Sequence, residues 1–209
     1  MKLYYSPFST NCRRACSVAA HLNARLELSN VDLLAGEHHA ADYLKLNPNS
    51  KVPTLMDGDF VLWESNAIIQ YIASKIPGQT LWPADPRAQA DVAHWQFWNA
   101  SHLEQATNTF IWENVFKKVF NQGAPDAARL KDAEQRWQRF AGVLNNQLEG
   151  RAYIAGNGNA LTLADFSIAA SVGHHAMSGL PLAGFRQIQR WLASIEELPA
   201  WKQTAPPRS

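Results

Sequence analysis

Periodicity divides the first part of the chain into alternating strands and helices. Residues 2–5 and 26–31 are short runs typical of strands. Between them, residues 11–23 carry apolar side chains at the i, i+3, i+4, i+7 spacing of an amphipathic helix. Two strands joined through one helix predict a parallel, right-handed βαβ unit.

A hairpin and a further helix follow this unit. Pro53 cannot donate a ladder hydrogen bond, so it belongs at the start or edge of a strand. Asp57-Gly58 supplies the positive φ angles of a tight turn, and Phe60–Trp63 reads as the returning strand. Ser65 is the predicted N-cap of the next helix. With a short helix at residues 40–46, the order becomes β-α-β-α-β-β-α.

The remainder of the chain shows helical patterns, apart from a weak strand pattern at Tyr153–Ala155. Prolines and a glycine between residues 77 and 86 mark a boundary. The predicted organisation is therefore an α/β domain at residues 1–78, a linker at 79–86 and an all-α domain at 87–209. Thr162 followed by Asp165 three residues later predicts a capping box at a helix start in this domain.

Composition and charge narrow the function classes. A net charge of +1 over 209 residues does not provide the excess positive charge that is typical of nucleic-acid-binding proteins. No signal segment and no apolar run of membrane-spanning length is present, so we expect a cytoplasmic protein without a membrane partner. Only Cys12 and Cys16 carry thiols, which fits a reducing compartment. His174-His175 lacks a third ligand at metal spacing, so no metal is expected.

Several short motifs extend over most of the chain. They are Tyr4-Tyr5-Ser6-Pro7 with Ser9 and Arg13, Lys51-Val52-Pro53, Asp57-Gly58, Glu64-Ser65-x-Ala-Ile, and Thr162-Leu163-Ala164-Asp165. Together they resemble the cytosolic glutathione S-transferases, in their bacterial serine-type or Ser-x-Asn-type members, and the central match is specific. The resemblance implies a thioredoxin-like N-terminal domain, an all-α C-terminal domain, and glutathione as co-substrate without a metal.

The resemblance also implies an activity. A glutathione transferase adds the glutathione thiolate to an apolar or aromatic electrophile, and a homodimer is expected by analogy. Two alternatives stay open at this point. One is a glutathione-dependent disulfide or peroxide reductase that uses Cys12 or a mixed disulfide, and the other is a non-catalytic binding protein with the same fold.

Ser9 is the first candidate for contact with the glutathione sulfur. It follows the first strand and precedes a helix N-terminus, where the helix dipole favours an anion. Its hydroxyl would donate to the thiolate without attacking anything itself. Asn11 is the second candidate, because its amide is a donor and Ser-x-Asn members use both residues. The remaining candidates, in order, are Cys12, Thr10 and Ser6.

Further candidates would hold the rest of the tripeptide. Pro53 resembles the family's cis-proline, which would turn the Val52 backbone outward to pair with the cysteinyl residue. Ser65 would bind the γ-glutamyl carboxylate and Glu64 the γ-glutamyl ammonium. Lys51, His39 and His38 are the candidates for the glycyl carboxylate.

The electrophile would contact the long helical stretch at residues 87–122. One face of it carries His102, Gln105, Ala106 and Phe110. Such a stripe is more often core or subunit interface than pocket wall. The resemblance nevertheless suggests that its upper part lines the electrophile pocket.

Overall fold

The structure is a computed structural model that describes residues 1–207. Contacts between residues group the chain into two compact units. The N-terminal unit contains residues 1–79 together with the segment that begins at Leu198, and the helical unit contains residues 80–197. The end of the chain, which the sequence assigned to the helical range 87–209, thus groups with the N-terminal unit.

The N-terminal unit is built on a four-stranded mixed sheet in the order β2-β1-β3-β4. The first two strands are parallel, with Tyr4 opposite Ser29, and the other neighbours are antiparallel. This arrangement confirms the predicted thioredoxin-like order. Its elements are β1 (Lys2–Tyr5), α1 (Thr10–His21), β2 (Glu27–Asn30), α2 (Ala41–Leu46), β3 (Thr54–Asp57), β4 (Phe60–Trp63) and α3 (Ser65–Ser74), with a 3-10 turn at Glu37–His39 before α2.

Local signals explain most of these bounds. Gly58 has φ 65° in the two-residue turn Gly58-Asp59 between β3 and β4, as predicted. Asp57 is the last residue of β3 and does not have the positive φ that was expected of it. Leu3 and Leu55 face each other on neighbouring strands and are fully buried. The buried faces of α1 and α3 complete the core of this unit with Ala15, Val18, Ile68, Ile69 and Ile72.

The start of α3 differs from the prediction. Ser65 is the first helical residue, and Glu64 occupies the N-cap position with φ 71° and ψ 109°. No side chain caps this helix. The prediction of Ser65 as N-cap is therefore wrong, and its hydroxyl is engaged elsewhere, as described below.

The last helix of the chain packs against α1 in the same unit. The guanidinium carbon of Arg13 lies 3.9 Å from the centre of the Trp201 ring. Arg13 also donates from Nη2 to the Trp201 carbonyl at 3.2 Å. Trp201 is 2% exposed, so this contact belongs to the core of the unit.

The helical unit contains helices joined by short connections, which confirms its all-α class. The long stretch at residues 86–119 is helical, but two π-helical segments, Asn99–Leu103 and Trp112–Phe116, interrupt it. The helices are α4 (Pro86–Trp98), α5 (Glu104–Ile111), α6 (Lys117–Val119), α7 (Ala127–Gln147), α8 (Leu163–Val172), α9 (His175–Ser178) and α10 (Arg186–Glu196), and α11 (Pro199–Gln203) belongs to the N-terminal unit.

The predicted capping box lies at the start of α8, which is buried along its whole length. The Asp165 carboxylate accepts from the Thr162 N–H at 2.8 Å. It also accepts from the Ile154 N–H and from the Trp191 indole N–H, each at 3.0 Å. The box therefore also ties α8 to a preceding loop and to α10.

Candidate active site

Ser9 caps the N-terminus of α1. Its Oγ accepts a hydrogen bond from the Cys12 N–H at 3.3 Å. The hydroxyl hydrogen is not used in that bond, because the oxygen acts as acceptor. The same hydroxyl also forms a hydrogen bond with the Cys12 side chain. Ser9 thus places a hydroxyl at a helix N-terminus, where the dipole favours negative charge.

Cys12 is placed quite differently from Ser9. It is 1% exposed, and its sulfur accepts from the Ser6 N–H at 3.4 Å. Burial raises the pKa of the Cys12 thiol to about 12. At neutral pH this thiol is protonated and shielded from solvent, which is unfavourable for a nucleophile.

Arg14 joins α1 to the start of α3. Its Nη1 donates to the Ser65 hydroxyl at 2.6 Å and to the Asn11 amide oxygen at 2.8 Å. The Ser65 hydroxyl in turn donates to the same Asn11 oxygen at 3.3 Å. These three side chains bring two predicted site residues, Asn11 and Ser65, into one hydrogen-bonded group.

The first turn of α3 leaves backbone donors available. Residues 1–207 provide no hydrogen-bond partner for the Ser65 N–H. Glu64 is exposed, and its positive φ is uncommon for a residue with a side chain. Unusual backbone of this kind concentrates at functional sites and ligand clamps.

The Val52-Pro53 peptide bond is cis, as the resemblance implied. Val52 lies just before β3, which begins at Thr54. Within the described part of the chain, neither the N–H nor the C=O of Val52 has a hydrogen-bond partner. A short stretch of extended backbone therefore remains open for pairing.

Two side chains hold this open stretch in place. The Tyr43 hydroxyl donates to the Lys51 carbonyl at 2.6 Å and lies 3.0 Å from the Thr54 hydroxyl. Asn47 Nδ2 donates to the same carbonyl at 2.8 Å and to the Thr54 hydroxyl at 3.1 Å. Both ends of the Val52-Pro53 turn are therefore held by side chains of the same unit.

The candidates for the glycyl end lie on the surface of the N-terminal unit. The Lys51 side chain is exposed. His39 is also exposed, and its Nδ1 lies 2.7 Å from the Ser50 hydroxyl. The neighbouring His38 ring has its pKa lowered, first by burial and then by His39.

The four candidates on the helical unit divide into two pairs. Ala106 is fully buried and Phe110 is 7% exposed, so both contribute to the core of that unit. This burial argues against a role for these two residues as pocket wall. His102 is exposed and stacks on Phe140, with ring centres 5.1 Å apart. Gln105 is exposed and accepts from Arg136 at 3.2 Å.

Comparisons with known proteins agree with this geometry. The family model for the glutathione S-transferase N-terminal domain matches residues 1–74, and that for the C-terminal domain matches residues 101–199. The apo structure of glutathione S-transferase III is 31% identical, with 100% of this chain and 97% of that chain covered and a TM-score of 0.86. The chain belongs to the glutathione S-transferase family.

Two further members have similar structures. A delta-class glutathione transferase from Nilaparvata lugens is 30% identical, with 98% of this chain and 92% of that chain covered and a TM-score of 0.82. Glutathione transferase F7 from Populus trichocarpa is 26% identical, with 97% and 96% covered and a TM-score of 0.87. All three relatives match over nearly their whole length.

Among residues 1–207, no group of three or more His, Cys, Asp or Glu side chains could hold a metal ion. None of the helices in those residues is long and apolar enough to span a membrane.

Sequence reasoning missed three residues that contact the candidate site. Arg14, Tyr43 and Asn47 contact the predicted site residues or the turn that carries them. A charged residue on the apolar stripe of α1 was the available signal for Arg14, since its neighbours Ala15 and Val18 mark the buried face. No local pattern singles out Tyr43 or Asn47, because both act on a turn several residues away.

Tyr43→Phe tests whether the Val52-Pro53 turn is held by its neighbours. Loss of the hydroxyl removes the bonds to the Lys51 carbonyl and to Thr54. We expect the free energy of unfolding, measured by chemical denaturation, to fall by about 1–2 kcal/mol. Tyr5→Phe is the matched control, because residues 1–207 offer the Tyr5 hydroxyl no partner. Equal effects of the two substitutions would contradict this role.

Proposed function

We propose that this chain is a serine-type glutathione transferase that adds the glutathione thiolate to an apolar or aromatic electrophile. The observation that carries the proposal is the open backbone of Val52 beside a turn fixed at both ends. An extended peptide can pair with such a stretch as an added strand. The cysteinyl residue of glutathione supplies the matching N–H and C=O.

The start of α3 suits the γ-glutamyl end of glutathione. The Ser65 N–H and the helix N-terminus favour a carboxylate. The preceding residue, Glu64, is exposed, and its carboxylate supplies a negative charge for the γ-glutamyl ammonium. A zwitterionic amino-acid group would thus meet a donor and an acceptor on consecutive residues.

Ser9 and Asn11 are the proposed sulfur contacts. Hydrogen bonds donated to a thiolate favour the charged form and lower the pKa of the thiol. The proton leaves to solvent, and the sulfur electron pair forms the new C–S bond with the electrophile. With an aryl halide, the halide departs with its bonding pair. These contacts would raise the fraction of glutathione present as thiolate and hold the sulfur in position for the reaction.

Lys51 and His39 supply the positive charge or donors proposed for the glycyl carboxylate. On the helical unit, His102 and Gln105 are the members of the predicted face whose side chains reach solvent. They are the proposed contacts for the electrophile. We further propose a homodimer that works in the reducing cytoplasm, where Cys12 and Cys16 stay free thiols.

Substitutions at two serines of α3 test the proposed function. Ser65 lies at the N-terminus of this helix, whereas Ser74 is exposed near its C-terminus and donates to the Tyr71 carbonyl at 2.8 Å. We expect Ser65→Ala to raise the Kd for glutathione, measured by titration calorimetry, about tenfold, which corresponds to about 1.4 kcal/mol. Ser74→Ala should leave the Kd unchanged.

The wild-type protein should also conjugate glutathione to an activated aryl chloride. Absence of glutathione binding by the wild type would overturn the proposal as a whole. Binding without turnover would favour the non-catalytic alternative. Equal Kd values for Ser65→Ala and Ser74→Ala would show that the Ser65 hydroxyl contributes nothing to glutathione binding, while the Ser65 N–H, which both variants keep, would remain the proposed carboxylate donor.

A further inference from the structure

We propose that Arg14 is a positioning residue of the glutathione site, which orients the Asn11 amide so that both of its N–H donors are available to the bound thiol. The proposal rests on the proposed function and adds a residue to it. Arg14 is 1% exposed and contacts two residues assigned to different parts of glutathione, Asn11 to the cysteinyl sulfur and Ser65 to the γ-glutamyl carboxylate. It therefore acts through its neighbours and not by touching the reacting atoms.

Donor chemistry fixes the direction of the amide. A guanidinium can only donate, so the Asn11 atom that faces Arg14 Nη1 at 2.8 Å is the oxygen. Ser65 alone could not fix this choice, because a hydroxyl can either donate or accept. Arg14 also donates to Ser65 at 2.6 Å, which directs the Ser65 hydrogen to the same Asn11 oxygen. The amide oxygen thus receives two donors.

The other end of the amide is left with unused donors. Residues 1–207 provide no hydrogen-bond partner for Asn11 Nδ2, and Asn11 is only partly buried. It is the second residue of α1, next to the N-terminus that Ser9 caps. Two N–H groups in the first turn of a helix suit an anion such as a thiolate.

Without Arg14, the amide loses its preferred direction. A flipped amide would donate from Nδ2 to the Ser65 hydroxyl and turn its oxygen toward the site. A carbonyl oxygen facing the sulfur disfavours the thiolate, because it can only accept. Arg14 thereby connects the geometry at Ser65 with the charge state of the thiol.

The test is the titration of glutathione bound at saturation, followed by the ultraviolet absorbance of the thiolate. In the wild type we expect a midpoint below the ordinary thiol value of about 8.5. Arg14→Met should move the midpoint up to about that value. The midpoint of Arg14→Lys should lie between those of the wild type and Arg14→Met, since a single ammonium replaces the rigid, planar guanidinium. Arg25→Met, an exposed arginine of the same unit, should titrate like the wild type.

Asn11→Asp gives an independent measurement. It keeps an oxygen for Arg14 and Ser65 but removes both amide donors, so the midpoint should rise as in Arg14→Met. If Arg14→Met does not fold, Arg14→Lys decides in its place, because Asn11→Asp keeps Arg14 and adds a negative charge of its own. A wild type that binds no glutathione contradicts the proposed function. A wild type with a lowered midpoint that Arg14→Met or Asn11→Asp leaves unchanged overturns the positioning role alone.

Discussion

Asp165→Ala is expected to lower the free energy of unfolding of the helical unit by at least about 3 kcal/mol. The carboxylate is fully buried and accepts hydrogen bonds from the Thr162 N–H, the Thr162 hydroxyl, the Ile154 N–H and the Trp191 indole. Alanine would leave these donors buried without an acceptor, and each such group costs about 1–3 kcal/mol. Chemical denaturation followed by circular dichroism measures the loss.

Asp85 provides the matched control, because it caps another helix of the same unit at the surface. Its carboxylate accepts from the Ala88 N–H at 2.8 Å. We expect Asp85→Ala to cost about 1 kcal/mol, as is typical of an exposed N-cap. Equal losses at the two positions would show that the additional partners of Asp165 contribute nothing.

The pH dependence of Asp165→Asn adds a second measurement. Burial raises the pKa of the Asp165 carboxyl from 3.8 to about 6, against the opposing effect of its hydrogen bonds. Because the pKa is higher in the folded state, the folded protein binds the proton more tightly than the unfolded chain does. The resulting contribution of Asp165 to the free energy of unfolding is fully present below pH 3.8 and is lost as the pH rises through about 6. Asparagine does not titrate. The difference in stability between wild type and Asp165→Asn should therefore be larger near pH 4 than at pH 7.

The parts of the fold that the sequence predicts are those whose signals are local. The Asp57-Gly58 turn and the Thr162–Asp165 box each involve residues no more than three apart, and both are present. The apolar spacing of α1 likewise predicts its buried face. In each case the residues that determine the element also lie within it.

Other features depend on partners far away in the sequence. Arg14 is buried because Ser65, 51 residues later, accepts from it. Trp201 lies in the N-terminal unit because Arg13, 188 residues earlier, stacks on it and donates to its carbonyl. Helical periodicity does not encode such partners, so the family resemblance named more candidate site residues than the pattern did.

The N-cap of α3 shows a different reason for error. Serine is a preferred N-cap residue and glutamate is not, so propensity favoured Ser65. In the structure Glu64 takes that position with a positive φ, and the Ser65 hydroxyl bonds Arg14 and Asn11 instead. The preference of serine for the N-cap is overridden here, at a position where the proposed function uses Ser65 to bind a ligand.

Ser9→Ala is expected to lower kcat/KM for the conjugation of glutathione to an activated aryl chloride at least about a hundredfold, whereas Cys12→Ser should change it less than about threefold. Ser9 places its hydroxyl at the N-terminus of α1. Cys12 is buried with its pKa raised to about 12, so it is neither exposed nor ionised. A reductase that runs through Cys12 predicts the reverse order.

Loss of the N-cap could mimic loss of catalysis, and Ser9→Gly separates the two effects. Alanine at an N-cap costs about 1 kcal/mol of stability, while glycine costs only a few tenths. Ser9→Gly should thus be nearly as stable as the wild type and yet as inactive as Ser9→Ala, because neither variant has the hydroxyl. Ser9→Thr retains the hydroxyl and should keep a substantial part of the activity. If Ser9→Gly is active, the sulfur contact passes to Asn11, and Ser9 is a cap only.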